Sequence, residues 1–150
     1  MEIVKLPNKI LRHKATSVSA EEIKNGSAKK LISAMRENMK KNNGVGLAAN
    51  QVGSELNIFV IDPELAKTNN VPDAFTNPEI TSRSRECDEL EEGCLSIPEY
   101  YASISRSKKI QIKALDENGN KIKFKARGFL ARVLQHEADH LNGIVIKDKK

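Results

Sequence analysis

A chain of 150 residues is long enough to enclose one packed core, and 39% hydrophobic against 30% charged residues exclude a disordered or fibrous class. No apolar run approaches the roughly 18 residues of a membrane span, and the opening MEIVKLPNKILRHK carries no long apolar segment followed by small residues, so a cytoplasmic location without membrane contact is expected. The net charge of +5 reads as a dispersed, lysine-rich surface and not as direct nucleic-acid readout, because aromatic residues for stacking on bases make up only 4%.

Residues 1–18 carry Pro7 and the charged stretch Arg12-His13-Lys14 and are expected to be irregular. Ser19 and Glu22 have the spacing of a capping box, in which each side chain satisfies a free amide at a helix start. Leu31, Met35 and Met39 then form an apolar stripe, and Gly44 is placed to end what reads as a single helix. After a small-residue stretch from Val45 to Gln51 comes a strand over 57–62, a loop over 63–74 and a short strand over 75–81. The period-two runs from Ile110 to Ala114 and from Ile122 to Ala126, joined by a turn at 116–120, predict a hairpin. From Gly128 the pattern becomes helical, with Leu130, Val133, Leu134 and Leu141 on one side and Gly143 as the terminator. The outline is α+β in a single domain spanning 1–150.

That last helix contains QHEADHLNG, residues 135–143. His136 and His140 lie one turn apart on one face, so both imidazoles can reach one metal ion, while Glu137 sits about 100 degrees round from His136, where a base for an activated water is needed. The pattern alone also fits an ordinary charged helix face. A third ligand must come from elsewhere: Asp139 lies on another face of the helix, whereas Cys94, in the tight segment Glu92-Gly93-Cys94-Leu95-Ser96, offers a thiolate. Taken by itself, Cys94 reads equally as a small buried hydrophobe. Gly44 to Gln51, GVGLAANQ, combines close-approach residues with an amide donor at Gln51, or is simply a glycine-terminated helix running into a strand. Cys87 lacks comparable flanks and His13 lies away from every motif, so neither is expected to be a ligand.

Together and in this order, GVGLAANQ, EGCLS and QHEADHLNG resemble the peptide deformylase family, whose pattern is G-x-G-L-A-A-x-Q, E-G-C-L-S and Q-H-E-x-D-H-L-x-G. The resemblance implies antiparallel strands wrapped around a core helix that carries the H-E-x-x-H motif, with a second, N-terminal helix. It implies hydrolysis of the formyl group from N-formylmethionyl nascent chains, releasing formate. Cys94, His136 and His140 would hold the metal, which in the family is Fe(II), with zinc, nickel or cobalt as substitutes in preparations. Glu137 would be general base and then acid, as a metal-bound water attacks the formyl carbonyl. Gln51 and the backbone N–H of Leu95 would bind the oxyanion, and Gly46 would pair with the substrate backbone. Val45, Phe129, Arg132 and Val133 would line the methionine pocket. A monomer is expected, with at most a weak ribosome contact, because only ten residues follow His140 and no extended C-terminal helix is foreseen. Two other readings compete. A zincin-like peptidase needs a third ligand downstream of the helix, where Asp148 alone qualifies, and a non-catalytic formyl-peptide binder would have no need of Glu137, Cys94 and Gln51. Asp139 is expected to support its surroundings through hydrogen bonds, not to bind the metal.

Overall fold

In the computed structural model, which describes residues 2–149, the N-terminal segment leads into helices α1 (Ala20–Lys24) and α2 (Ser27–Lys41). The capping box forms: Ser19 Oγ accepts from Glu22 N at 3.1 Å while Glu22 Oε1 accepts from Ser19 N at 3.0 Å. The single predicted helix is nevertheless two. Gly26 adopts φ +84°, a left-handed conformation that a right-handed helix cannot propagate through. Helix α2 buries Ala28, Ile32, Met35 and Met39, and at its end Asn43, not Gly44, takes the left-handed turn with φ 55°.

Seven strands follow: β1 (Gly46–Ala48), β2 (Ile58–Ile61), β3 (Ala74–Arg83), β4 (Cys87–Cys94), β5 (Ile97–Ser107), β6 (Lys109–Leu115) and β7 (Lys121–Arg127). Five form one antiparallel sheet in the order β1-β2-β3-β6-β7, while β4 and β5 form a separate two-stranded ribbon. Between β2 and β3, the expected loop begins with helix α3 (Pro63–Thr68), started by a proline whose missing N–H costs nothing at a helix N-terminus. At six residues it is too short to show a helical period. The chain ends in helix α4 (Gly128–Leu141) and a short tail, so the α+β class expected from the pattern is the observed one.

Strand β2 explains why IFVI is apolar throughout. Phe59 and Ile61 face α4, where they meet Leu130, Val133 and Leu134; Ile58 and Val60 face α2, where they meet Ile32, Met35 and Met39. The strand is covered on both faces, and α4 packs against β1, β2, β3, β5, β6 and β7. The predicted β6–β7 hairpin pairs in unbroken register from Lys109↔Arg127 to Leu115↔Lys121.

The β4–β5 ribbon was legible only as a strand-like stretch near Cys94. In its first strand the stretch CDELE, Cys87 to Glu91, is solvent-exposed and shows no apolar alternation, because only the ribbon's base, from Glu92 on, is covered. There Ile97 and Ile104 pack with Val145 and Ile146 from the tail and with Leu6 from the N-terminal segment. The ribbon is thereby held against the same helix that carries His136 and His140.

Candidate metal centre and its cleft

Helix α4 places His136 and His140 one turn apart, and β4 ends at Cys94 facing them. The ligand atoms of these three residues lie within 4.8 Å of one another, with Cys94 Sγ 3.3 Å from His140 Nε2. Tetrahedral coordination at thiolate and imidazole bond lengths sets ligand atoms about 3.5 Å apart, so the donor set fits one small divalent cation. Burial and the neighbouring His136 and Arg106 hold the His140 imidazole neutral, with its pKa well below the ordinary value, as a ligand requires. For His136, burial would lower the pKa, but hydrogen bonds to Cys94 and Glu92 and the charge of Glu137 outweigh it and carry it to about 10. Binding of a cation there must displace a proton.

Beneath the ligands lies a buried ionic cluster centred on Glu92. One carboxylate oxygen accepts from His136 Nδ1 at 2.9 Å, which leaves Nε2 for a metal. Glu92 also takes two hydrogen bonds from Arg106, at 2.7 and 2.9 Å, and one from Arg132 at 2.5 Å. Although burial alone would raise its pKa, these partners hold the carboxyl far below the usual range. Arg106 extends the cluster to Asp139 at 2.8 Å, so Asp139, outside the ligand group, braces the helix. Arg132, assigned above to the methionine pocket, borders the cleft, but its guanidinium is committed to Glu92, to Asp88 and to the carbonyl of Ile104.

Glu137 is buried, and its Oε1 has no hydrogen-bond partner among the described residues. Burial raises its pKa to about 7, against the opposing charges of His136 and Arg106, which makes it able both to take and to give a proton near neutrality. The carboxylate lies directly on Gly46: a β-carbon there would stand 2.5 Å from Glu137 Oε2. Gly46 belongs to β1, an edge strand of the large sheet. It opposes Ile61 while the bond from Asp62 N runs to Val45 O, so Gly46 occupies a non-hydrogen-bonded pair and directs its own N–H and C=O away from β2, along the free edge.

Gln51, in the short 3-10 turn after β1, is buried beside Cys94, its Nε2 3.6 Å from Sγ. Leu95 and Ser96 form the tight connection between β4 and β5, and the backbone N–H of Leu95 makes no hydrogen bond among the described residues. A cleft of about 930 Å³ opens between the β1 edge and the β4–β5 ribbon. It is bordered by Val45, Gly46, Gln51, Cys94, Leu95, Phe129, Arg132, Val133, His136 and Glu137, every residue singled out above except His140, which lies behind them. Val45 and Phe129 are half exposed at the rim, and Val133 is buried. Cys87 is exposed on β4 and His13 on the N-terminal segment, both outside the ligand group.

Sequence reasoning missed Arg106 and the roles of Glu92 and Ser96. Arg106 did carry a signal: Ala102, Ile104 and Arg106 share the covered face of β5, and a charged residue on that parity requires a buried partner.

Comparison with known proteins places this geometry. The whole chain, residues 1–150, matches the polypeptide deformylase family. It is 44% identical over 149 residues to a peptide deformylase of Thermodesulfovibrio yellowstonii, covering 99% of this chain and 88% of that one. A Dictyoglomus turgidum peptide deformylase is 46% identical over 151 residues, covering 99% and 92%. The crystal structure of peptide deformylase from Thermotoga maritima superposes with a TM-score of 0.89 at 40% identity, covering 99% of this chain and 95% of the other. That of an Acinetobacter baumannii class I type b peptide deformylase with Met-Ala-Ser bound gives 0.90 at 33%, covering 100% and 98%.

Proposed function

This chain belongs to the polypeptide deformylase family, and on that premise we propose how its residues divide the work. The enzyme removes the formyl group from N-formylmethionine at the start of polypeptides. One observation carries the assignment: Cys94, His136 and His140 converge beside a buried carboxylate, Glu137, at the floor of an open cleft. The third ligand precedes the helix in sequence, which sets the site apart from a zincin-like peptidase.

Cys94, His136 and His140 would hold the metal. The ion we favour is Fe(II), with zinc, nickel or cobalt able to take its place, because thiolate plus imidazole suits all of them. When bound, it would lower the pKa of a coordinated water toward neutrality and polarise the formyl carbonyl. Glu137, with its pKa near 7, accepts the proton of the attacking water and delivers it to the amine as the formyl carbon–nitrogen bond breaks. Gln51 Nε2 and the N–H of Leu95 stabilise the oxyanion formed on the formyl carbon. An extended substrate pairs with Gly46 along the β1 edge, in the manner of an added strand. The methionine side chain enters between Val45, Phe129 and Val133, with the aliphatic stem of Arg132 as a wall. The Met-Ala-Ser bound to the Acinetobacter relative has the form of a deformylated product, which supports a peptide that begins with methionine as the kind of ligand.

We further propose a cytoplasmic monomer that can make a weak contact with the ribosome. Among the described residues no helix is long and apolar enough to cross a membrane. The test is formate release from a formyl-methionyl peptide by protein loaded with Fe(II) in the absence of oxygen. Glu137→Gln should keep full metal content and lose about a hundredfold or more in kcat. A fully loaded wild-type protein that releases no formate ends the assignment.

A further inference from the structure

The side-chain amide of Gln51 is pinned by more than its own loop. Its Oε1 accepts from Ala48 N at 2.9 Å, and its Nε2 donates to Ser96 Oγ at 3.1 Å. The hydroxyl proton of Ser96 is already used, because Ser96 Oγ donates to the carbonyl of Val4 at 2.6 Å. Ser96 therefore faces Gln51 as an acceptor only. Backbone bonds close the loop: Val4 N donates to Gln51 O at 2.7 Å, and Leu6 N donates to Ser96 O at 3.0 Å. Both side chains are buried, Ser96 at 1% exposure and Gln51 at 2%, which strengthens these hydrogen bonds.

This arrangement allows one amide orientation. Turning the amide over would set its NH2 against the N–H of Ala48 and its oxygen against the Ser96 lone pair, two repulsive contacts in place of two hydrogen bonds. An amide nitrogen carries two protons. Ser96 takes one, and the other is directed at Cys94, where Nε2 donates a long hydrogen bond of 3.6 Å to Sγ on the side of the candidate metal centre.

We infer that Ser96 is a positioning residue for deformylation: braced by Val4 of the N-terminal segment, it fixes the Gln51 amide so that one N–H points at the reacting carbonyl. The inference rests on the reading of Gln51 as an oxyanion donor. It also makes the N-terminal segment, which reads as irregular in the sequence, a support of the catalytic cleft.

The experiment compares wild type, Ser96→Ala, Gln51→Ala and the double variant at equal metal content, and follows exchange of the Gln51 side-chain amide protons by NMR. Ser96→Ala should lower kcat about tenfold with KM unchanged, and should cause no further fall once Gln51 is alanine. In wild type one Gln51 amide proton should exchange much more slowly than the other, and Ser96→Ala should remove that difference. A normal kcat in Ser96→Ala, or the same loss repeated in the Gln51→Ala background, overturns the inference. So do two wild-type amide protons that exchange alike, a result that stands even where Ser96→Ala does not fold. Undiminished kcat in Gln51→Ala sinks the oxyanion role itself, whereas a slow Gln51→Ala beside a normal Ser96→Ala removes only the positioning.

Discussion

Gly46 and Glu92 show how little room individual residues leave at this centre. A β-carbon on Gly46 would collide with the Glu137 carboxylate, which must move for any side chain to fit. Gly46→Ala is expected to lower kcat by about a hundredfold, the order lost when a general base is displaced. Its melting temperature should stay close to that of wild type, since the strand pairing is untouched; equal kcat for the two proteins refutes the contact. Glu92 balances Arg106, Arg132 and His136 in a nearly dry cluster. Glu92→Ala leaves two buried guanidinium groups short of a counter-charge, and about 3–5 kcal/mol of destabilisation is expected. Metal affinity should also fall, by about ten- to a hundredfold, because His136 loses the acceptor that orients its ring. Urea denaturation and metal titration of the same preparation measure both. The sequence made both residues visible as parts of motifs, but only the fold shows that the missing side chain of Gly46 makes space for Glu137 and that Glu92 gathers the buried guanidinium groups.

Among the elements, the β6–β7 hairpin is the one whose sequence and structure agree most closely, and its turn is the reason. Asp116 Oδ1 accepts from both Asn118 N and Asn120 N at 2.9 Å, closing the turn through its own side chain. Slight burial would raise the Asp116 pKa, but the bonds from Asn120, Asn118 and Gly119 outweigh it and hold it below the ordinary 3.8. A carboxyl whose folded-state pKa is depressed stabilises the fold above its unfolded value, and that contribution disappears as pH falls through the lower folded value. Asp116→Asn should therefore be less stable than wild type near neutral pH, and the two urea midpoints should converge below pH 3.8. A gap that persists in acid would show that the charge is irrelevant to the turn. Helix α1–α2 and helix α3 diverge from expectation for local reasons: a left-handed Gly26 in the first case, and a length below two helical turns in the second. Strand β4 escaped because Cys87 to Glu91 is exposed on both faces, so its sequence was under no pressure to alternate.

At the scale of the molecule, the proposed ligands join two units that are far apart in the chain, the ribbon through Cys94 and the core helix through His136 and His140. A cation bound there stabilises only the folded chain, so its removal should be felt globally. Stripping the metal with a chelator should lower the melting temperature by about 10 °C, and the same treatment should leave Cys94→Ser unmoved. A calorimetric scan in which wild type ignores the chelator, or Cys94→Ser responds equally, contradicts a centre at these residues. By itself the sequence determined the α+β class, a strand over 57–62, the hairpin before α4, and the residues of three motifs that identify the family. Those are properties of local spacing: helical and strand periods, turn chemistry and short motifs are written in consecutive residues. Tertiary structure alone decided that the Arg132 guanidinium belongs to Glu92 and Asp88, that Arg106 and Asp139 brace the metal-binding helix, and that Val4 reaches Gln51 through Ser96. The physical reason is the same in each case. These contacts join residues distant in sequence, and a buried charge or hydroxyl declares that it needs a partner without naming which one.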